Sequence, residues 1–92
     1  MLDYIFIRNG FEKKDRSVTG ELKNCYEKFV EINDLFDMWV SYNIEERKGF
    51  IYVEYECGGE VGSFPFDTYS EDEEDCFKEV MEEIDRIKEM YK

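Results

Sequence analysis

Residues 35–67 constrain the fold more than any other part of the chain, because three extended segments and two turns must agree on one buried face. Residues 35–44 (LFDMWVSYNI) alternate, with Phe36, Met38, Val40, Tyr42 and Ile44 on one side. Asp37, Trp39, Ser41 and Asn43 take the other side. Residues 50–57 (FIYVEYEC) set Ile51, Val53, Tyr55 and Cys57 against Phe50, Tyr52, Glu54 and Glu56. A four-residue Glu46–Gly49 loop would pair Ile44 with Ile51, Tyr42 with Val53 and Val40 with Tyr55, with Gly49 at a loop position that favours positive φ. Gly58-Gly59 is a two-residue hairpin signal that pairs Cys57 with Glu60, so Phe64 falls opposite Val53 and Phe66 opposite Ile51. Both turns bring the apolar residues to the same side. Pro65 has no N–H to give a ladder, so 61–67 is expected to be an edge strand or to bond through its other residues.

The flanks read as one more strand and two helices. LDYIFIR at 2–8 is aromatic and β-branched enough for a strand, and Asn9-Gly10 opens a loop. Leu22, Tyr26, Phe29 and Val30 recur at helical spacing, which predicts an amphipathic helix from Thr19, capped by Ser17 or Thr19 and ended by Asn33-Asp34. The acidic run SEDEED at 70–75 starts a second helix, with Ser70 and Glu73 as a capping box. Phe77, Val80, Met81, Ile84, Ile87 and Tyr91 form its apolar stripe. The expected order is β-α-β-β-β-α over a single α+β domain, 1–92, with one mostly antiparallel four-stranded sheet and both helices on its apolar face. The opposite sheet face would carry Trp39, Tyr52, Glu54, Glu56, Val61 and Ser63. Either the 9–18 segment folds over that face, or an aromatic and acidic surface stands open for binding.

Several chemistries have no residues to support them. The chain contains no histidine, so Ser-His-Asp and Cys-His nucleophile systems are excluded. Gly58-Gly59-Glu60-Val61-Gly62 joins two strands and reads as a hairpin turn, not a phosphate loop. SEDEED lacks the central glycine and the spaced ligands of a calcium loop. Cys25, Cys57 and Cys76 form no CxxC pair and read as small core residues with reduced thiols. A non-enzymatic protein without cofactor or metal is expected. MLDYIFIR is not flanked like a secretory signal, and no apolar run approaches membrane-spanning length, so a cytoplasmic protein is expected.

Charge is the remaining functional signal. The formal net charge is −12 over 92 residues. Residues 8–28 carry six basic and four acidic side chains, whereas 29–92 carry six basic and nineteen acidic ones. Between Glu60 and Asp85 there are eleven acids against one base, Lys78. Such a surface repels phosphate, which argues against direct nucleic-acid or anionic-membrane binding and for a basic protein partner. The candidate contact residues are Glu60, Asp67, Glu71, Asp72, Asp75, Glu79 and Glu82 among the acids, with Trp39, Tyr52, Glu54 and Glu56 on the open sheet face.

A meander of FDMWVSYNI, FIYVEYEC and VGSFPFD beside helices, with SEDEED and EEID supplying negative charge, resembles the small phage-encoded anti-CRISPR proteins and related DNA-mimic inhibitors. The resemblance covers most of the chain and lies in architecture and charge. It implies an inhibitor whose carboxylates stand in for phosphates on the basic surface of a nuclease or other nucleic-acid-binding effector. The segment from MWVSY through the acidic terminal helix also looks like immunity proteins or antitoxins that neutralise nuclease toxins. A housekeeping interaction module with incidental acidity is the third reading.

Overall fold

The computed structural model describes residues 4–92. Its elements are α1 (Tyr4–Arg8), β1 (Glu12–Arg16), β2 (Lys23–Glu31), β3 (Phe36–Asn43), β4 (Lys48–Tyr55), β5 (Glu60–Asp67) and α2 (Glu73–Met90). The class is α+β, as the sequence implies, but the sheet has five strands in the order β1-β2-β3-β4-β5, every neighbour antiparallel. α1 and α2 cover one face, and their apolar side chains meet those of the sheet.

Three sequence expectations fail for identifiable reasons. The strand expected over 2–8 is a short helix over 4–8; Leu2 and Asp3 lie outside the described residues. Gly10, at φ 91°, closes this helix, since the Phe11 N–H reaches the Phe6 carbonyl and the Gly10 N–H reaches that of Ile7. Phe11 then packs edge-on against Phe6, the hydrophobic contact that accompanies such a cap. The helix expected from Thr19 is β2. Its residues also satisfy a period of two, with Tyr26, Lys28 and Val30 directed to the core side and Glu27, Phe29 and Glu31 opposite. Lys28 breaks the apolar reading, but its ammonium leaves the core to bond the Asn9 carbonyl at 2.9 Å while sitting over the Phe11 ring. The 9–18 segment contains β1, whose five residues EKKDR are all exposed. Charge along an edge strand blocks pairing with another chain, and it also erases the alternation that reveals a strand.

The hairpins keep the expected faces but shift register by even steps. Val40 pairs with Ile51, Met38 with Val53 and Tyr42 with Gly49, so the β3–β4 turn lies at 44–47, with Arg47 at φ 55°. Gly49 is consumed inside β4 because the Phe66 ring lies where a β-carbon would be. In the next hairpin Phe64 faces Ile51 and Phe66 faces Gly49, with a bulge at Val53/Glu54. Even slips preserve side-chain direction, which is why the core survives both. Val61, expected on the open face, packs against the core beside that bulge. Pro65 does occupy an edge strand, β5.

α2 buries Cys76, Val80, Ile84 and Ile87, with Phe77, Met81 and Tyr91 at the core margin, which matches the expected stripe. Its N-cap is Asp72 rather than Ser70, the side chain accepting from the Asp75 N–H. Ser70 is displaced from that role because Glu79 reaches back and accepts from the Tyr69 and Ser70 backbone N–H groups, both at 2.9 Å. The Ser70 hydroxyl above all, with those two N–H groups, holds the Glu79 carboxyl below its ordinary range. A carboxyl with a depressed folded-state pKa adds stability that is complete above its unfolded value, near 4.5, and lost as pH falls through the folded one. The urea midpoint should therefore drop below pH 4.5 more steeply in wild type than in Glu79→Gln. Parallel pH profiles for the two proteins would remove Glu79 from the acid response.

Candidate functional site

The open face of the sheet is organised in rows that cross the strands. One row runs Phe29, Trp39, Tyr52, Ser63, and the next runs Glu31, Asp37, Glu54, Glu60. Phe29 and Trp39 lie 5.0 Å apart between ring centroids. Aromatic faces and carboxylates thus sit one row apart, a pairing suited to cations.

The surrounding hydrogen bonds fix these groups. Glu27 is buried, accepts from the Val18 N–H at 2.7 Å and from the Ser41 hydroxyl at 2.9 Å, and so ties the turn after β1 to the sheet face. The turn itself is closed by Ser17, whose backbone and hydroxyl bond Leu22. Trp39 Nε1–H donates to Glu54 at 3.4 Å, and the Ser63 hydroxyl donates to Glu60 at 2.8 Å. Between the turn and the β4–β5 side lies a groove of about 420 Å³. Trp39, Phe50 and Tyr52 line it from the sheet, with Glu54 and Glu60 at one side and Glu21 at the other. The end of the 9–18 segment and the turn after it thus cover the part of this face that carries Glu27 and Ser41, and beside Trp39 and Tyr52 they wall a groove.

The candidate residues read from the sequence divide between two opposite surfaces. Trp39, Tyr52, Glu54 and Glu60 are brought together on the open face. Glu71, Asp72, Asp75, Glu79 and Glu82 belong to α2 and its approach, on the far layer. Asp67 ends β5, paired with Lys48 at 3.2 Å, and Glu56 is exposed in the turn after β4. Asp72 and Glu79 serve the helix N-terminus, and Asp75 lies 3.8 Å from Lys78. Phe29, Glu31, Asp37 and Phe50 are not among the candidate contact residues, although alternation sets Asp37 on the side of Trp39 and Phe50 on that of Tyr52. For Phe29 and Glu31 the helical assignment of β2 hid the face they share with Trp39; the alternation of 25–32 was the available signal.

The three free cysteines differ in exposure. Cys25 is fully buried, and burial first, then Glu27, pushes its thiol up to about 11. Cys76 is buried and contacts the Ser70 carbonyl. Cys57, expected on the core side of a strand, is exposed in the turn after β4, because the β4–β5 ladder ends two residues early. Among the described residues no three His, Cys, Asp or Glu side chains converge as a metal site, and no helix is long and apolar enough to cross a membrane. Comparison with protein-family models, curated proteins and solved structures finds no match to this chain.

Proposed function

We propose that the protein is a non-enzymatic inhibitor that docks on a basic, nucleic-acid-binding surface of another protein. The observation that carries this reading is the solvent side of α2 and its approach. Glu71, Glu74, Glu82 and Asp85 are exposed there, and among the described residues none forms an ion pair with this chain's own lysines or arginines. Carboxylates fixed on a rigid helix present regularly spaced negative charge, which competes with phosphates for a basic groove. Acids outnumber the basic side chains on α2, and Lys78, Arg86 and Lys92 there and at its end pair with Asp75, Glu83 and Glu89, while Lys13, Lys14 and Arg16 lie on the β1 edge. That excess of negative charge would orient an approaching basic partner toward the helix.

The test is displacement of a labelled duplex from purified RNA-guided DNA nucleases and, separately, from toxin nucleases. Wild type should release the duplex from one such enzyme without binding the duplex itself, and less well as salt rises. Changing Glu71, Glu74, Glu82 and Asp85 together to Lys leaves the caps and the apolar stripe intact. Rim pairs contribute under about 1 kcal/mol each, so the quadruple variant should inhibit about 10- to 100-fold less well. A folded variant that displaces duplex as well as wild type, or a wild type that binds the duplex directly, overturns the proposal.

A further inference from the structure

The groove on the open sheet face differs from the helix surface: it is concave, aromatic and acidic at once. We infer that it accepts a single arginine side chain of a basic protein, an inference that rests on the reading of this chain as a binder of basic proteins and places a second contact on the face opposite α2. The Trp39 and Tyr52 side chains are neighbours in register on the groove's sheet side, and both are half-buried. Glu54 and Glu60 stand on adjacent strands at the same level of the ladder. Trp39 Nε1–H holds one oxygen of Glu54, and the Ser63 hydroxyl holds one oxygen of Glu60. Each carboxylate therefore keeps its other oxygen without a protein donor among the described residues. No lysine or arginine lines the groove.

Asp37 adds negative charge beside the groove without lining it. Asp37 is 7% exposed, lies beside Glu54 in the register, and has a buried carboxylate oxygen with no hydrogen-bond partner. It sits within the row Glu31, Asp37, Glu54, Glu60, none of whose members is neutralised by a cation among the described residues. Four carboxylates in a row, one of them buried, leave an electrostatic deficit that an external cation would relieve. A compact metal ion does not suit it, because the side chains are spaced by strands about 4.8 Å apart and do not converge. A guanidinium does. It is planar and weakly hydrated, stacks on an indole face, and carries a fork of donors wide enough for two carboxylates. An ammonium group satisfies the charge without the stacking or the fork.

The chain contains one tryptophan, so its indole N–H is an unambiguous probe in an isotope-labelled sample. The blocked peptide acetyl-Gly-Arg-Gly-amide should shift this signal saturably. The lysine peptide should bind at least about threefold more weakly, and the isosteric but neutral citrulline peptide should not saturate. Glu54→Gln with Glu60→Gln should weaken the arginine peptide about tenfold, while Glu74→Gln with Glu82→Gln leaves it unchanged. Equal shifts from arginine and citrulline peptides, no saturable shift, or full affinity in the Glu54/Glu60 variant would each overturn the inference. Duplex displacement separates the two proposals. Peptide binding without displacement by the full chain retains the groove and overturns the inhibitor reading; displacement without peptide binding does the reverse.

Discussion

Phe6→Ala is expected to lower folding stability by about 3–5 kcal/mol, a large share of the roughly 5–15 kcal/mol that holds a domain of this size together. Phe6 is fully buried although it belongs to a helix of only five residues. Its ring stacks on Tyr26 and Tyr42 at 5.1 and 5.3 Å and meets Phe11 and Phe77 edge-on at 5.3 and 5.2 Å. It thereby joins α1, β2, β3 and α2. An isolated helical turn has no stability of its own, so α1 is held by this side chain and by the glycine cap behind it. Truncation would leave a cavity bounded by four rings that cannot all collapse inward. Urea unfolding followed by the single tryptophan measures the loss, with Tyr4→Ala as the control. Tyr4 is 62% exposed, and its removal should change stability by about 0.5 kcal/mol or less. A loss below about 1 kcal/mol for Phe6→Ala would show that the aromatic cluster does not organise the fold.

The contrast between the two halves of the chain explains what the sequence discloses. In 35–67 each strand has one buried and one open face, so period two is written into the residues, and turn glycines set the direction of the chain. Face assignment needs only parity, which is why Phe64 keeps to the core side although it pairs with Ile51 and not with Val53 as expected. Exact register depended on where Gly49 sits. As a residue it signals a turn, yet the Phe66 ring needs its missing side chain, and no local rule distinguishes the two uses. In 4–31 the local signals were ambiguous or erased. Asn9-Gly10 suits a hairpin and a helix end equally, and here Gly10 ends a helix. β1 is a strand with no buried face, and β2 has Lys28 at a core position, so both depend on pairing with neighbours that their residues do not announce. For the site, Trp39, Tyr52 and Glu54 were legible from alternation alone. Alternation also sets Asp37 on the face of Trp39, whereas Phe29 required the neighbouring strand to be known.

Gly49→Ala should be the second large effect, and it tests whether the close approach of Phe66 is obligatory. A β-carbon at Gly49 would collide with three atoms of the Phe66 ring, Cζ, Cε1 and Cε2. These are atoms of a rigid ring stacked against Tyr42, not the free end of a flexible chain. Either the ring leaves Tyr42 or β5 moves off β4. Alanine normally improves on glycine inside a strand through lower unfolded-state entropy, so a loss here is a packing cost that overcomes a favourable term. Overpacking of this kind costs about 1–3 kcal/mol, and the direct clash with a stacked ring places Gly49→Ala at the upper end. A double-mutant cycle isolates the cause. Phe66→Ala alone should destabilise, yet in the Gly49→Ala background it should cost little or restore stability, giving a coupling of about 1–3 kcal/mol. The same displacement reaches the open face, because β5 carries Glu60 and Ser63, whose hydrogen bond orients one wall of the groove. Gly49→Ala should thus speed amide exchange along β5 and loosen the arginine site from the other side of the sheet. Additive effects of the two substitutions, with β5 exchange unchanged, would show that the ring can turn aside freely and that the glycine answers to some demand other than Phe66.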